Sequence, residues 1–132
     1  MRVVLDASAS LASLMGQDAR PAVVEVLSRS TIIIAPHIYV CEVTSGLWKY
    51  AIAGELSMSE AAERFKLGLS VIGRFESEAT FAEEALREAA ARRHSVYDMF
   101  YAVLSRRENA SLVTVDARLR KLARAMGVAV LP

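Results

Sequence analysis

Short apolar runs alternate with amphipathic stretches along the whole chain. RVVL (2–5) is β-branched and apolar without alternation, the pattern of a strand buried on both faces. A helix is predicted from Ala7 to Met15 with Gly16 as its stop, and a second from about Pro21 to Ser28. TIIIA (31–35) reads as the next buried strand, after which Pro36 opens a helix running to about Ala53, closed by Gly54. Ser57 and Glu60 are spaced as a capping box for a helix to about Leu69, and SVIGRF (70–75) holds a short strand interrupted by Gly73. Thr80 with Glu83, and Ser95 with Asp98, repeat the capping-box spacing ahead of helices to about Arg93 and over VYDMFYAVLSRR. SLVTV (111–115) is a strand, 117–126 a helix ended by Gly127, and VAVL (128–131) a last strand.

Apolar strands alternating with helices predict a parallel sheet covered on both faces. The expected class is α/β: a three-layer α/β/α sandwich around a central, mostly parallel sheet of four to five short strands. No linker, repeat or low-complexity tract interrupts residues 1–132, so one domain is expected. At 132 residues, with 54% hydrophobic residues and a positive mean hydropathy, the chain can bury a core without staples.

The single cysteine, Cys41, rules out an internal disulfide; its place in a helix reads as a small core residue. Asp6 interrupts what would have to be a signal-peptide core, and no apolar run approaches the roughly 18 residues of a membrane span. The expected setting is cytoplasmic. The net charge of +1 is divided unevenly. Residues 1–84 carry 7 basic and 11 acidic groups, whereas 85–132 carry 9 and 4. The second half concentrates Arg92–Arg93, Arg106–Arg107, Arg118, Arg120, Lys121 and Arg124, a set that either attracts phosphates or merely solvates helix faces.

Four acids stand where a solvated charge is unexpected. Asp6 and Asp116 each end an apolar strand and precede a helix. Helix capping explains either one alone. In a parallel sheet, however, all strand C-termini share one edge, which is where open α/β folds bind ligands. Asp98 has a capping-box explanation too, yet it begins a helix crowded with Tyr97, Met99, Phe100, Tyr101, Val103 and Leu104. Glu42 lies about two turns into the helix after the second strand, with apolar neighbours on most faces. Four carboxylates at one sheet edge cannot stay ionised together without cations. Mg²⁺ or Mn²⁺ suits such an oxygen-only set and accepts phosphates, so a metal-dependent nuclease uses all these observations together. His37 and His94 are too few for a zinc site, and neither a Gly-rich phosphate loop nor a nucleophile elbow is present.

The segments VVLDASA, PHIYVCEVTSGLWK, SVYDMFYAVLS, LVTVDARL and GVAVL, in this order and spacing, resemble the PIN-domain ribonucleases, specifically the VapC-like toxins of toxin–antitoxin pairs. The likeness spans essentially the whole chain. It implies that the family's acidic quartet falls on Asp6, Glu42, Asp98 and Asp116, and that Thr114 is the hydroxyl residue supporting a metal-bound carboxylate or water. Ser8 also matches a small or hydroxyl position.

The resemblance further implies an Mg²⁺- or Mn²⁺-dependent endoribonuclease of structured RNA such as tRNA or rRNA. It implies a homodimer as well, and an antitoxin whose peptide enters the active-site groove and through which alone DNA would be contacted. Trp48, Tyr50 and Ile52 are candidates for dimer or antitoxin contact, although Trp48 reads first as core. Two alternatives stay open: a non-catalytic module of the same fold that binds RNA or protein, and a receiver-like phosphoacceptor. The second is disfavoured by the small residues after Asp6 and by the lack of a strand-terminal aspartate mid-chain.

Overall fold

The computed structural model describes residues 1–132. Five short strands, β1 (Arg2–Leu5), β2 (Ile32–Pro36), β3 (Arg74–Glu76), β4 (Ser111–Val113) and β5 (Val130–Leu131), form one sheet in the order β3-β2-β1-β4-β5. Every pairing is parallel, and the register sets Val4 beside Ile34 on one side and Leu112 on the other. The helices are α1 (Ala7–Leu14), α2 (Arg20–Ser28), α3 (Ile38–Ile52), α4 (Met58–Ser70), α5 (Ala82–Arg92), α6 (Val96–Arg107) and α7 (Ala117–Ala125). They flank the sheet to give the three-layer α/β/α arrangement expected from the sequence: α1 to α4 pack on one another, while α6 lies against β1, β2 and β4 and carries α5 and α7. β1 is central, and Val3, Val4 and Leu5 are fully buried within a continuous core of 29 residues. The sequence of β1 is uniformly apolar because both of its faces are covered.

Several local expectations are corrected. Pro36 does not open α3 but ends β2, paired with Glu76; it lies past the end of the β1 pairing, so its missing N–H costs no ladder bond. Thr80 is not a helix cap. Residues Glu78–Thr80 form a single 3-10 turn capped by Ser77, and α5 begins after Phe81 without a side-chain cap. Strands β3, β4 and β5 are each displaced or shorter than their apolar runs. Ser57 and Glu60 do form the reciprocal capping box at α4.

Cys41 and Trp48 are not core residues. The buried face of α3 is set by Tyr39, Val43 and Leu47 at four-residue spacing, which leaves Cys41 exposed and Trp48 57% exposed. Ile52, one turn beyond Trp48, is 66% exposed, so α3 shows an apolar outer stripe. No helix is long and apolar enough to cross a membrane.

Candidate active site

β1 delivers Asp6 to the C-terminal edge of the sheet, where it caps α1 by accepting the Ser8 N–H at 3.3 Å. The capping reading is therefore correct for this residue, but it accounts for only part of the environment. The same oxygen, Oδ2, also accepts the hydroxyls of Ser8 and of Thr114, the latter at 2.8 Å. Each hydroxyl has its own acceptor side filled by a backbone donor from the segment after β4. Val115 N–H reaches Ser8 Oγ at 3.3 Å, and Asp116 N–H reaches Thr114 Oγ1 at 3.1 Å. With those N–H groups in place, the single proton of each hydroxyl is directed at Asp6. Asp6 is only 4% exposed and Thr114 fully buried, so this relay ties the ends of β1 and β4 together away from water. All of its donors converge on Oδ2; Oδ1 receives no hydrogen bond.

Asp116 repeats this division of labour. Its Oδ1 accepts the Leu119 N–H at 2.8 Å as the cap of α7, and its Oδ2 takes no hydrogen bond. Asp98 departs from the sequence expectation: Ser95 makes no side-chain cap, so no capping box exists at α6. The carboxylate of Asp98 faces His94 Nδ1 at 3.8 Å instead. Glu42, in the second turn of α3, has a buried Oε1 without a hydrogen-bond partner of adequate geometry, the nearby Tyr101 hydroxyl being the one donor that acts on its carboxyl.

The electrostatics link the four acids. Burial pushes Asp6 above the usual carboxylate range, outweighing the Ser8 and Thr114 hydrogen bonds, and the Asp98 charge adds to the rise. Burial also raises Asp98, joined by Asp116 and opposed by His94 and Arg118. Glu42 is pushed up to about 7, first by burial and then by the charges of Asp6 and Asp98. Asp6, Glu42 and Asp98 thus each feel another acid of the set, and the charge of Asp116 acts on Asp98. No three His, Cys, Asp or Glu side chains converge tightly enough to ligate one ion together, so the four acids do not form a ready-made metal cage.

This arrangement carries a pH signature. The folded protein holds the Glu42 proton to about pH 7, whereas its ordinary value of 4.5 applies in the unfolded chain. Between those limits the unfolded state binds fewer protons, so metal-free stability falls as pH rises through the window, and the full penalty remains above it. After solvent screening the penalty is about 1–2 kcal/mol. In chelator, Glu42→Gln is expected to raise the melting temperature at pH 8 and to flatten its decline between pH 4.5 and 7; identical pH slopes in both proteins would contradict this.

Tyr101 is the residue the sequence conceals. It reads as one more aromatic in a packed helix, yet its buried hydroxyl lies in the fields of Asp6 and Glu42 and has no hydrogen-bond partner of adequate geometry. Burial, with the two acids, pushes its ionisation well above the usual phenol range. The one signal in the sequence is its position three residues after Asp98, on the same helix face. Because an orphaned polar group is already a cost, Tyr101→Phe is expected to leave thermal stability unchanged or raise it by up to about 1 kcal/mol. A loss of about 2 kcal/mol or more in calorimetry would mean that the hydroxyl is satisfied.

The basic groups of the second half divide into two sets. Arg106 and Arg107 pair with Glu84, and Arg106 also with Glu88, so they are internally neutralised. Arg120 is used structurally, donating to the carbonyls of Thr114 and Pro132 at 2.8 Å each. Arg118 acts on the Asp98 charge and lies at the site.

The family model described as PIN domain matches residues 3–125 of the chain. No curated protein sequence matches it. Among solved structures, PAE2754 from Pyrobaculum aerophilum is 23% identical with a TM-score of 0.78, the alignment covering 98% of this chain and 89% of that one. VapBC2 from Rickettsia felis, bound to a DNA fragment from its promoter, is 17% identical with a TM-score of 0.71 over 98% and 97%. VapC20 of Mycobacterium tuberculosis, a toxin that cleaves the sarcin–ricin loop, is 15% identical with a TM-score of 0.68 over 98% and 99%. At these identities the likeness to the solved structures is one of fold.

Proposed function

Since the chain belongs to the PIN-domain family, we propose that it is a metal-dependent endoribonuclease and the toxin of a type II toxin–antitoxin pair. The observation that supports this reading best is that the charges of Asp6, Glu42, Asp98 and Asp116 act on one another beyond the C-terminal ends of β1 and β4. Burial raises Asp6, Glu42 and Asp98, and in each case the charge of another of the four acids adds to the rise.

The donor set fits a hard divalent cation. Asp6 Oδ1 and Asp116 Oδ2 take no hydrogen bond, Glu42 Oε1 is a buried orphan, and the donors are oxygen throughout. Mg²⁺ and Mn²⁺ keep several waters and take only one or two carboxylates directly, so they do not require three carboxylates to converge on one point. Asp6, Asp98 and Asp116 would hold the principal ion, directly or through water, and Glu42 would help hold a metal or orient the attacking water. When bound, the ion supplies charge neutralisation at the phosphate and a more acidic water.

The chain's own residues do the rest. Thr114 and Ser8 fix Asp6 through Oδ2 and leave Oδ1 without a hydrogen bond. The buried Tyr101, whose hydroxyl lies in the fields of Asp6 and Glu42, would exclude water from behind these two acids.

The likeness to the Rickettsia VapBC2 and the Mycobacterium VapC20 supports the toxin and antitoxin parts of the reading, with tRNA or rRNA as substrate class. The exposed Trp48 and Ile52 on α3 would meet an antitoxin or a second copy in a homodimer, DNA being reached only through the antitoxin. A single cytoplasmic domain completes the proposal. Expression of the chain alone is expected to arrest bacterial growth, and Asp116→Asn, which can still cap α7, is expected to relieve the arrest. Equal toxicity of the two would remove the acid site from the explanation.

A further inference from the structure

The acid site repels the phosphates it is proposed to cleave, so the strand needs cations beside it that are not already neutralised. Such a place exists. A cleft of about 520 Å³ is lined by Arg92, His94, Arg118, Lys121, Leu122 and Ala125. No carboxylate lines it, yet it adjoins the acids: His94 sits 3.8 Å from Asp98, and Arg118 acts on the same carboxylate. Arg118 and Lys121 are both exposed and neither forms an ion pair, unlike Arg106 and Arg107, which face Glu84. Arg92 is held by Glu88 at 2.9 Å, which positions it at the C-terminus of α5. The spacing of Arg118 and Lys121, three residues apart on α7, places their Cβ atoms roughly 5–6 Å apart on one face. Leu122 and Ala125 form an apolar wall suited to a ribose or base.

We propose that this cleft binds the RNA backbone phosphates adjacent to the one at the carboxylates, with Arg118 and Lys121 as the contacting cations and Arg92 at the rim. The inference rests on the nuclease reading above and deepens it: the strand would run from the acid site across the face of α7. Phosphate contacts of this kind give affinity and register without base specificity.

The test measures binding of a short, labelled single-stranded RNA by the full chain in chelator, from about 50 to 200 mM salt. Relative to wild type, the double variant R118Q/K121Q is expected to bind about tenfold more weakly at about 0.1 M salt. Its slope of log affinity against log salt should be shallower by about 0.7 for each phosphate that is no longer neutralised. Arg87→Gln, an exposed position on α5 paired with Glu83, removes a positive charge outside the cleft and should change neither. Equal affinity and slope for wild type and the double variant, an equal loss in Arg87→Gln, or no RNA binding by wild type would each overturn the cleft.

Cleavage in Mn²⁺ separates the two readings. Wild type that cleaves RNA alongside an unaffected double variant refutes the cleft and leaves the nuclease standing. Salt-dependent binding through the cleft without any products refutes the nuclease and leaves the cleft standing.

Discussion

Asp6→Asn is expected to lower RNA cleavage by more than about 100-fold while the protein stays folded. The expectation follows from how Asp6 divides its two oxygens. Asparagine keeps a carbonyl oxygen that can accept the Thr114 and Ser8 hydroxyls and the Ser8 N–H, so the relay across β1 and β4 survives. The substitution removes the second anionic oxygen, the one without a hydrogen bond, and with it the charge that would hold a cation. Since burial and Asp98 disfavour that charge in the metal-free protein, the variant should be at least as stable as wild type in chelator. Circular dichroism together with a cleavage assay distinguishes the possibilities. Undiminished cleavage would remove Asp6 from the site, and unfolding would mean that its role is capping alone.

The second large effect concerns Thr114. Its hydroxyl is fully buried, donates to Asp6 and accepts from the Asp116 N–H. Thr114→Val keeps the shape, deletes both bonds, and leaves a backbone donor and a buried carboxylate each short of a partner. Hydrogen bonds to charged groups and unsatisfied buried donors both cost in this range, so a loss of about 2–3 kcal/mol is expected in urea unfolding. Thr114→Ser retains the hydroxyl and should recover most of that loss. A valine variant within about 0.5 kcal/mol of wild type would show that the relay contributes little.

The sheet was legible, and with it the strand-end positions of Asp6 and Asp116, because both leave periodic or positional marks. RVVL and SLVTV are uniformly apolar because their strands are covered on both faces, and the aspartate that ends each run sits at the one edge a parallel sheet leaves open. Capping is compatible with the proposed site: Asp6 and Asp116 each commit one oxygen to a helix N-terminus and keep the other. Spacing alone misled where a turn decided the geometry. Thr80 and Glu83 have the separation of a capping box, but the 3-10 turn at Glu78–Thr80 spends the Thr80 hydroxyl on the Ser77 carbonyl. Pro36 resembles a helix opener until the register with Glu76 is known. Composition could not tell that Arg106 and Arg107 face Glu84, whereas Arg118 and Lys121 face a cleft, because that depends on how α5, α6 and α7 pack. Trp48 looked like core for the same reason: only the phase of α3, set by Tyr39, Val43 and Leu47, turns it outward.

If the carboxylates act on RNA through a divalent cation, cleavage must depend on that cation and on the acids together. Purified protein stripped with chelator and mixed with a tRNA and rRNA pool, with Mn²⁺ or Mg²⁺ then added back, tests this dependence. No products are expected in chelator, discrete fragments once the metal is restored, and none from Asp6→Asn at the same metal concentration. Cleavage that persists undiminished in chelator, or binding of RNA without products at any metal concentration, would contradict a metal-dependent acid site.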